Sequence, residues 1–188
     1  MRAFPKYVSY KNLSSADKIL VALLAKTELP VIFDDLGLYR FSGNLMRHAI
    51  RRKNFEQEAK RLQKRGYVAL TKTPDGWIVK LLKKGKVKQR KALLRSLELK
   101  KPERWDSKWR LFIFDIPEKY RYERDFLRQK LKDLGLYNIQ RSVFAYPYDC
   151  REELNLLSDL LHVAIYVTYA EVSYLDIDPE LRTYFKIR

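Results

Sequence analysis

The sequence predicts an α+β protein of two domains, and three observations predict it. The charge is unevenly spread: residues 1–104 hold 26 Lys/Arg against 9 Asp/Glu, and residues 105–188 hold 13 against 14. Apolar periodicity in the first part is helical three times and then becomes two strand-like runs. The second part alternates short apolar strands with helical stripes. The polar stretch from Lys100 through Pro102 to Arg104 reads as the joint, which sets a first domain at 1–104 and a second at 105–188.

The composition narrows the class further. Apolar residues make up 46% of the chain, with 13 Tyr, 9 Phe and 3 Trp, enough to build cores and to exclude a disordered basic tail. The single Cys150 excludes a disulfide scaffold and a cysteine-based zinc site, and two histidines, His48 and His162, leave little for histidine-centred metal chemistry. The longest apolar run, from Ile19 to Ala25, falls far short of the roughly 20 residues a membrane helix needs. A cytoplasmic protein with no membrane partner is expected.

In the first domain, Ser14 can cap a helix, with Asp17 at the capping-box position three residues on. Ile19, Leu20, Leu23 and Leu24 then share a face, and Pro30 lies beyond the helix end. A second helix is expected from Asn44, with Leu45, Met46, Ala49 and Ile50 inward and Arg47, His48, Arg51 and Arg52 outward. The third helix has the clearest local signals. Asn54 is placed as its cap, Gln57 as the box partner, Glu56 and Glu58 in the first turn, and Gly66 at the left-handed exit. Phe55, Ala59 and Leu62 fall inward, and Gln57, Lys60, Arg61 and Lys64 face outward by the same spacing. Two strand-like runs follow, Tyr67 to Thr73 and Trp77 to Leu82, joined by Pro74, Asp75 and Gly76, a turn sequence.

Three helices followed by a two-stranded ribbon describe a winged helix-turn-helix. In such modules one helix enters the major groove and flanking cations meet phosphates. Arg51, Arg52, Lys53, Lys60, Lys64 and Lys72 are therefore assigned to phosphates. Gln57 and Arg61 are assigned to base edges, because both can make paired hydrogen bonds there. The basic run from Lys83 to Lys91 is less specific: a helix along the DNA backbone, or a solvated connector.

In the second domain, Trp109 to Asp115 reads as a nearly all-apolar strand. Pro117 suits the first turn of the next helix, whose buried stripe is Tyr122, Phe126, Leu127, Leu131 and Leu134, closed by Gly135. A long second strand runs from Tyr137 to Tyr146 and can fold back on itself. Asp149 can cap a helix bearing Leu154, Leu157, Leu160 and Leu161. A third strand covers 164–170 and a fourth 171–175. The order is that of a ferredoxin-like βαββαβ sandwich. Phe112, Phe114, Phe144, Tyr146 and Tyr166 alternate along its strands, so the sheet face away from the helices is expected to form a dimer interface. A base-stacking platform for RNA is the other use of such a face.

The stretch from Lys108 to Cys150 resembles a known family. The Asp115-Ile116-Pro117 strand end, Arg121, Arg124, Gly135 and the run Gln140-Arg141-Ser142-Val143-Phe144 look like the central domain of PaaX-type repressors. That domain is itself similar to the CRISPR-associated adaptation nuclease, Cas-two. With the basic winged helix and the aromatic sheet, the resemblance leads to a DNA-binding transcriptional regulator, a repressor, acting on duplex DNA as a homodimer; this reading requires no cofactor and leaves a small-molecule effector open. The nuclease likeness implies an alternative. There Asp115 from two subunits would hold Mg or Mn, an ion suited to oxygen ligands, and cut a phosphodiester. Ser142 and Phe144 would line that site. The competing role for Asp115 is a helix cap. No serine, cysteine or phosphate-loop constellation is evident, and Cys150 reads as a small buried side chain.

Overall fold

A computed structural model describes residues 9, 13–23, 28–33, 39–41, 52–74 and 76–187, with the side chains of 28–33, 39–41 and 52–53 outside the description. The chain divides into two compact units, Met1–Leu97 and Glu98–Arg188. The joint read at Lys100–Arg104 thus falls at the start of the second unit. The first unit carries 23 Lys/Arg against 7 Asp/Glu and the second carries 16 against 16. Both units combine helices with antiparallel sheets, so the molecule is α+β. No helix among the described residues is long and apolar enough to cross a membrane.

The first unit begins with α1 (Ser15–Ala22), whose Ser14 hydroxyl accepts the Asp17 backbone N–H, as its sequence predicts. The Ser14 hydroxyl also donates to the Asp17 carboxylate at 2.9 Å. The helix from Asn44 lies outside the described residues. Helix α2 spans Arg52–Lys64. Asn54 therefore sits inside the helix rather than capping it, and Glu56 and Glu58 fall outside the first turn. An Asn inside a helix costs only a few tenths of a kcal/mol, too little to stop Arg52 and Lys53 from extending it. The inward stripe is as expected: Phe55, Ala59 and Leu62 are buried and join Ile19, Leu20, Leu23, Val68, Val79 and Leu81 in one core. Gly66, at φ +71°, closes α2 in the left-handed conformation. Its N–H donates to Gln63 O and the Tyr67 N–H to Leu62 O, the paired bonds of a Schellman exit.

Strands β3 (Val68–Thr73) and β4 (Gly76–Leu81) form the expected hairpin. Two further strands, β1 (Glu28–Phe33) and β2 (Tyr39–Phe41), turn the two-stranded ribbon into a four-stranded sheet of order β2-β1-β4-β3. Pro30 hid β1, because proline within a run argues against a strand that is paired on both sides. Among the described residues the ladder with β2 covers only Val31–Phe33, so there β1 has a single neighbour at Pro30. The basic run then forms α3 (Lys83–Ser96), which buries Gly85, Gln89, Ala92, Leu93 and Ser96.

The second unit starts its sheet with β5 (Trp109–Phe114). A 3-10 turn over Glu118–Tyr120 precedes α4 (Arg121–Asp133), so Pro117 heads that turn rather than the helix. Leu127 and Leu131 are buried, and Gly135 exits at φ +86°. Tyr122 is 77% exposed, which corrects its placement in the stripe: it stands in the first turn, off the line through Leu127 and Leu131. The long second strand does fold back, as β6 (Tyr137–Gln140) and β7 (Val143–Tyr146). Helix α5 (Arg151–Leu160) follows. Cys150 holds its cap position, while the Asp149 carboxylate accepts the Arg151 N–H at 3.1 Å. The two last strands read from sequence are one, β8 (Val167–Val172), after a 3-10 turn over Ala164–Tyr166. The sheet order is β6-β7-β5-β8, antiparallel throughout.

A helix absent from the sequence reading, α6 (Asp178–Phe185), ends the unit. Its Leu181 and Phe185 pack with Trp109, Leu111, Tyr137, Ala145 and Val172, residues that share one sheet face by register. The face expected to stay open is thus covered there. Phe112, Phe114 and Phe144, of the opposite parity, are 1%, 3% and 0% exposed. None of the three can stack on a base from outside.

Candidate nucleic-acid interface

Helix α2 presents the candidate contacts in an order its sequence dictates. With Phe55, Ala59 and Leu62 fixed inward, the helical period turns Gln57, Lys60, Arg61 and Lys64 outward, and all four are exposed. Arg61 is already engaged: its guanidinium meets the Glu58 carboxylate at 2.5 Å. Lys60 and Lys64 have no carboxylate partner among the described residues. Arg52 and Lys53 start the helix, and Arg51 lies outside the described residues. Lys72 stands exposed on β3 opposite Trp77. The structure therefore brings Gln57, Lys60, Arg61 and Lys64 onto one helix face and puts Lys72 on the hairpin that follows.

Sequence reasoning left α3 undecided between two roles, and the structure gives it definite packing. Gln89 donates from Nε2 to the Leu20 carbonyl at 2.6 Å, away from water. The buried Asp17 meets Lys88 Nζ at 3.2 Å and Arg95 Nη2 at 3.3 Å. Gly85 touches Tyr67: a Cβ at this position would stand 2.0 Å from the Tyr67 carbonyl oxygen. The signal was available in the sequence. Gly85, Gln89, Ala92 and Ser96 recur at helical spacing, but two polar residues and two small ones do not look like a buried stripe.

Asp115 directly follows β5 and is exposed. Its backbone N–H donates to Tyr166 O at 3.0 Å, and the neighbouring Phe114 N–H donates to Ser142 O at 3.1 Å. The carboxylate caps neither the 3-10 turn nor α4, since neither has a side-chain cap, and it has no hydrogen-bond or ion-pair partner among the described residues. The cap reading is thereby corrected: Pro117 and the 3-10 turn carry the chain past the carboxylate before α4 starts. A divalent cation does not fit one chain's residues at this point. No group of three or more His, Cys, Asp or Glu side chains is placed to hold a metal among the described residues.

Elsewhere in the second unit, several ionisable groups are buried or tied to backbone and acids. Burial pushes the Cys150 thiol up to about 12, which denies it the thiolate a nucleophile needs. Arg110, buried, donates to both Asp106 carboxylate oxygens and to the Lys108 and Pro147 carbonyls. The Arg110 guanidinium in turn holds the Asp106 carboxyl below its ordinary value. Arg124 bridges Ile116 O and Glu118, and Arg128 pairs with Asp125.

Residues 102–183 match the family model described as the PaaX protein central Cas2-like domain. The match covers nearly the whole second unit, including the Lys108–Cys150 stretch that carries the resemblance. No curated protein matches the sequence.

Proposed function

Proceeding from the PaaX-type match, we propose that the chain is a transcriptional regulator, a repressor, that holds duplex DNA through its first unit. One observation carries the reading: α2 offers an outward face with Lys60 and Lys64 unneutralised, next to a hairpin bearing Lys72, in a unit where cations outnumber acids 23 to 7. We read α1, α2 and the β3–β4 hairpin as the core of a winged helix-turn-helix, with α2 as the groove helix. Gln57 and Arg61 then face base edges, and Arg51, Arg52, Lys53, Lys60, Lys64 and Lys72 face phosphates. Glu58 must release or share Arg61 for that role.

The second unit we read as a ferredoxin-like βαββαβ domain, from the strand order β6-β7-β5-β8. It pairs two chains in the cytoplasm and so sets the half-site spacing. With α6 over much of one face, the unpaired edges of β6 and β8 are the surfaces we assign to pairing.

The test is duplex binding measured across salt concentrations. Lys60→Ala with Lys64→Ala is expected to weaken binding and to lower the salt slope by about one unit per lost phosphate contact. Unchanged binding would remove α2 from the groove. Metal-dependent cutting of DNA or RNA by the wild type, absent in Asp115→Ala, would replace the regulator reading with the nuclease one.

A further inference from the structure

Helix α3 violates the local rules of helix design. Its 14 residues hold seven Lys/Arg and no acid. Lys83, Lys84 and Lys86 crowd the N-terminal turn, where the helix dipole disfavours cations, with no acidic residue there and no side-chain cap at Leu82. Lys83 and Lys86, and Lys86 and Arg90, are like-charged neighbours on the helix surface, each pair mildly destabilising. Tertiary packing holds the helix in spite of this, through Gly85 on Tyr67, Gln89 on the Leu20 carbonyl and buried Ala92 and Leu93. What remains outward is Lys83, Lys86, Arg90 and Lys91, none with a carboxylate partner among the described residues.

A second observation links this face to α2. The Tyr67 N–H closes α2 by donating to Leu62 O at 2.9 Å, and the Tyr67 carbonyl accepts the Leu82 N–H at 3.0 Å, where α3 begins. Lys84 and Lys88 place their ammoniums 5.3 and 5.7 Å from the Tyr67 ring. The basic end of α2 and the basic start of α3 thus converge on one residue.

We propose that the outward face of α3 is a second binding surface for the sugar-phosphate backbone of duplex DNA, beside the groove helix. It rests on the DNA-binding reading above. The chemistry is that of a cationic rod against a regular row of phosphates, where each neutralised phosphate releases counterions. Helix α3 has no aromatic residue on which single-stranded bases would stack. Its outward face offers Val87 alone as an exposed large apolar side chain, too little to enter a membrane surface. A locally unfavourable charge pattern kept in place by specific packing marks a site used for something other than stability.

The experiment compares the full chain with its Lys83→Gln, Lys86→Gln, Arg90→Gln, Lys91→Gln variant, titrating a mixed-sequence duplex across salt concentrations. The slope of log affinity against log salt is expected to fall by about 3 to 4 units, at about 0.9 per lost contact. Helical circular dichroism should be retained or increased, because like-charge repulsion is removed. A Lys-to-Arg set at positions 83, 86 and 91 should keep the wild-type slope. A folded Gln variant with the wild-type slope overturns the inference. So does a slope lost only on single-stranded RNA or anionic vesicles. A wild type that binds no duplex at any salt overturns the DNA-binding reading itself, and is distinguishable by that.

Discussion

The two units differ in how far their cations are neutralised. In the second, most arginines are tied to acids and carbonyls, among them Arg110 to Asp106 at 2.5 Å, Arg182 to Asp178 at 2.6 Å, Arg124 to Glu118 at 2.8 Å and Arg128 to Asp125 at 2.9 Å. Several also cover rings: Arg182 lies over Trp105, Arg151 over Tyr169 and Arg128 over Phe114. In the first, Arg61 meets Glu58, and Lys88 and Arg95 share Asp17, but Lys60, Lys64, Lys72, Lys83, Lys86, Arg90 and Lys91 find no carboxylate among the described residues. The lesson is about local neutralisation rather than residue type. A guanidinium with a fixed carboxylate organises a fold, whereas an ammonium without one raises the potential at the surface and favours a polyanion.

The sharpest way to break this contrast is Arg110→Met. Arg110 is 6% exposed and ties Asp106 and Lys108, before β5, to Pro147, after β7. Its loss leaves the Lys108 and Pro147 carbonyls without this donor, the second of them buried, and should destabilise the second unit by about 2–4 kcal/mol, read from urea unfolding. Duplex affinity of the folded protein should stay within about twofold, since the change costs one charge that is already neutralised. A large loss of affinity without loss of stability would mean that Arg110 is not purely structural.

Gly85→Ala probes the other unit, with a smaller effect. On propensity alone, Ala would stabilise α3 by about 1 kcal/mol. Here the added Cβ meets the Tyr67 backbone at 2.0 Å and Leu81 Cδ1 at 2.9 Å. Backbone cannot swing aside as a side chain can, so the sign reverses, and about 1–3 kcal/mol of destabilisation is expected. A variant more stable than wild type would show that α3 does not rest on Tyr67, and the continuity of the two basic helices would fail with it.

How far the sequence could be read follows from the range of each signal. Gly66 and Gly135 exits, the stripe of Phe55, Ala59 and Leu62, and the pairing of the two strands of the hairpin are written in nearby residues, and each is realised. Long-range features were less legible. Pro30 argues against a strand until the short ladder to β2 is known. The burial of Gly85 and Gln89 depends on Tyr67 and Leu20, neither adjacent in sequence. Helix α6 did carry a signal, Asp178 and Pro179 in its first turn, but its left-handed exit falls on Lys186 at φ +55° rather than on a glycine. The site was legible as charge: Gln57, Lys60, Arg61 and Lys64 are outward as expected. What the sequence could not give was neutralisation, such as Glu58 holding Arg61.

The smallest expected effect tests whether the acid partners of the second unit matter to its fold. Asp178 accepts from Arg182 Nε at 2.6 Å and from Trp109 Nε1 at 2.8 Å, tying α6 to β5. The Arg182 guanidinium, and after it the Trp109 N–H, hold the Asp178 carboxyl below its ordinary value. A carboxyl whose folded value lies below its unfolded one binds protons more readily when unfolded. It therefore contributes stability that is fully present above the unfolded value, near 3.8, and is lost as pH falls through the lower folded value. Asp178→Asn keeps an acceptor for Trp109 but removes the charge. The gap in urea midpoint between wild type and variant should be largest near neutral pH and close as the pH drops below about 4. Because the pair is only half-buried, added salt should narrow the gap at neutral pH as well. A gap independent of both pH and salt would mean that the Asp178 charge does not hold α6, leaving its apolar packing and the Trp109 hydrogen bond, and that at this point the second unit's paired charges are as dispensable to its fold as the first unit's unpaired ones.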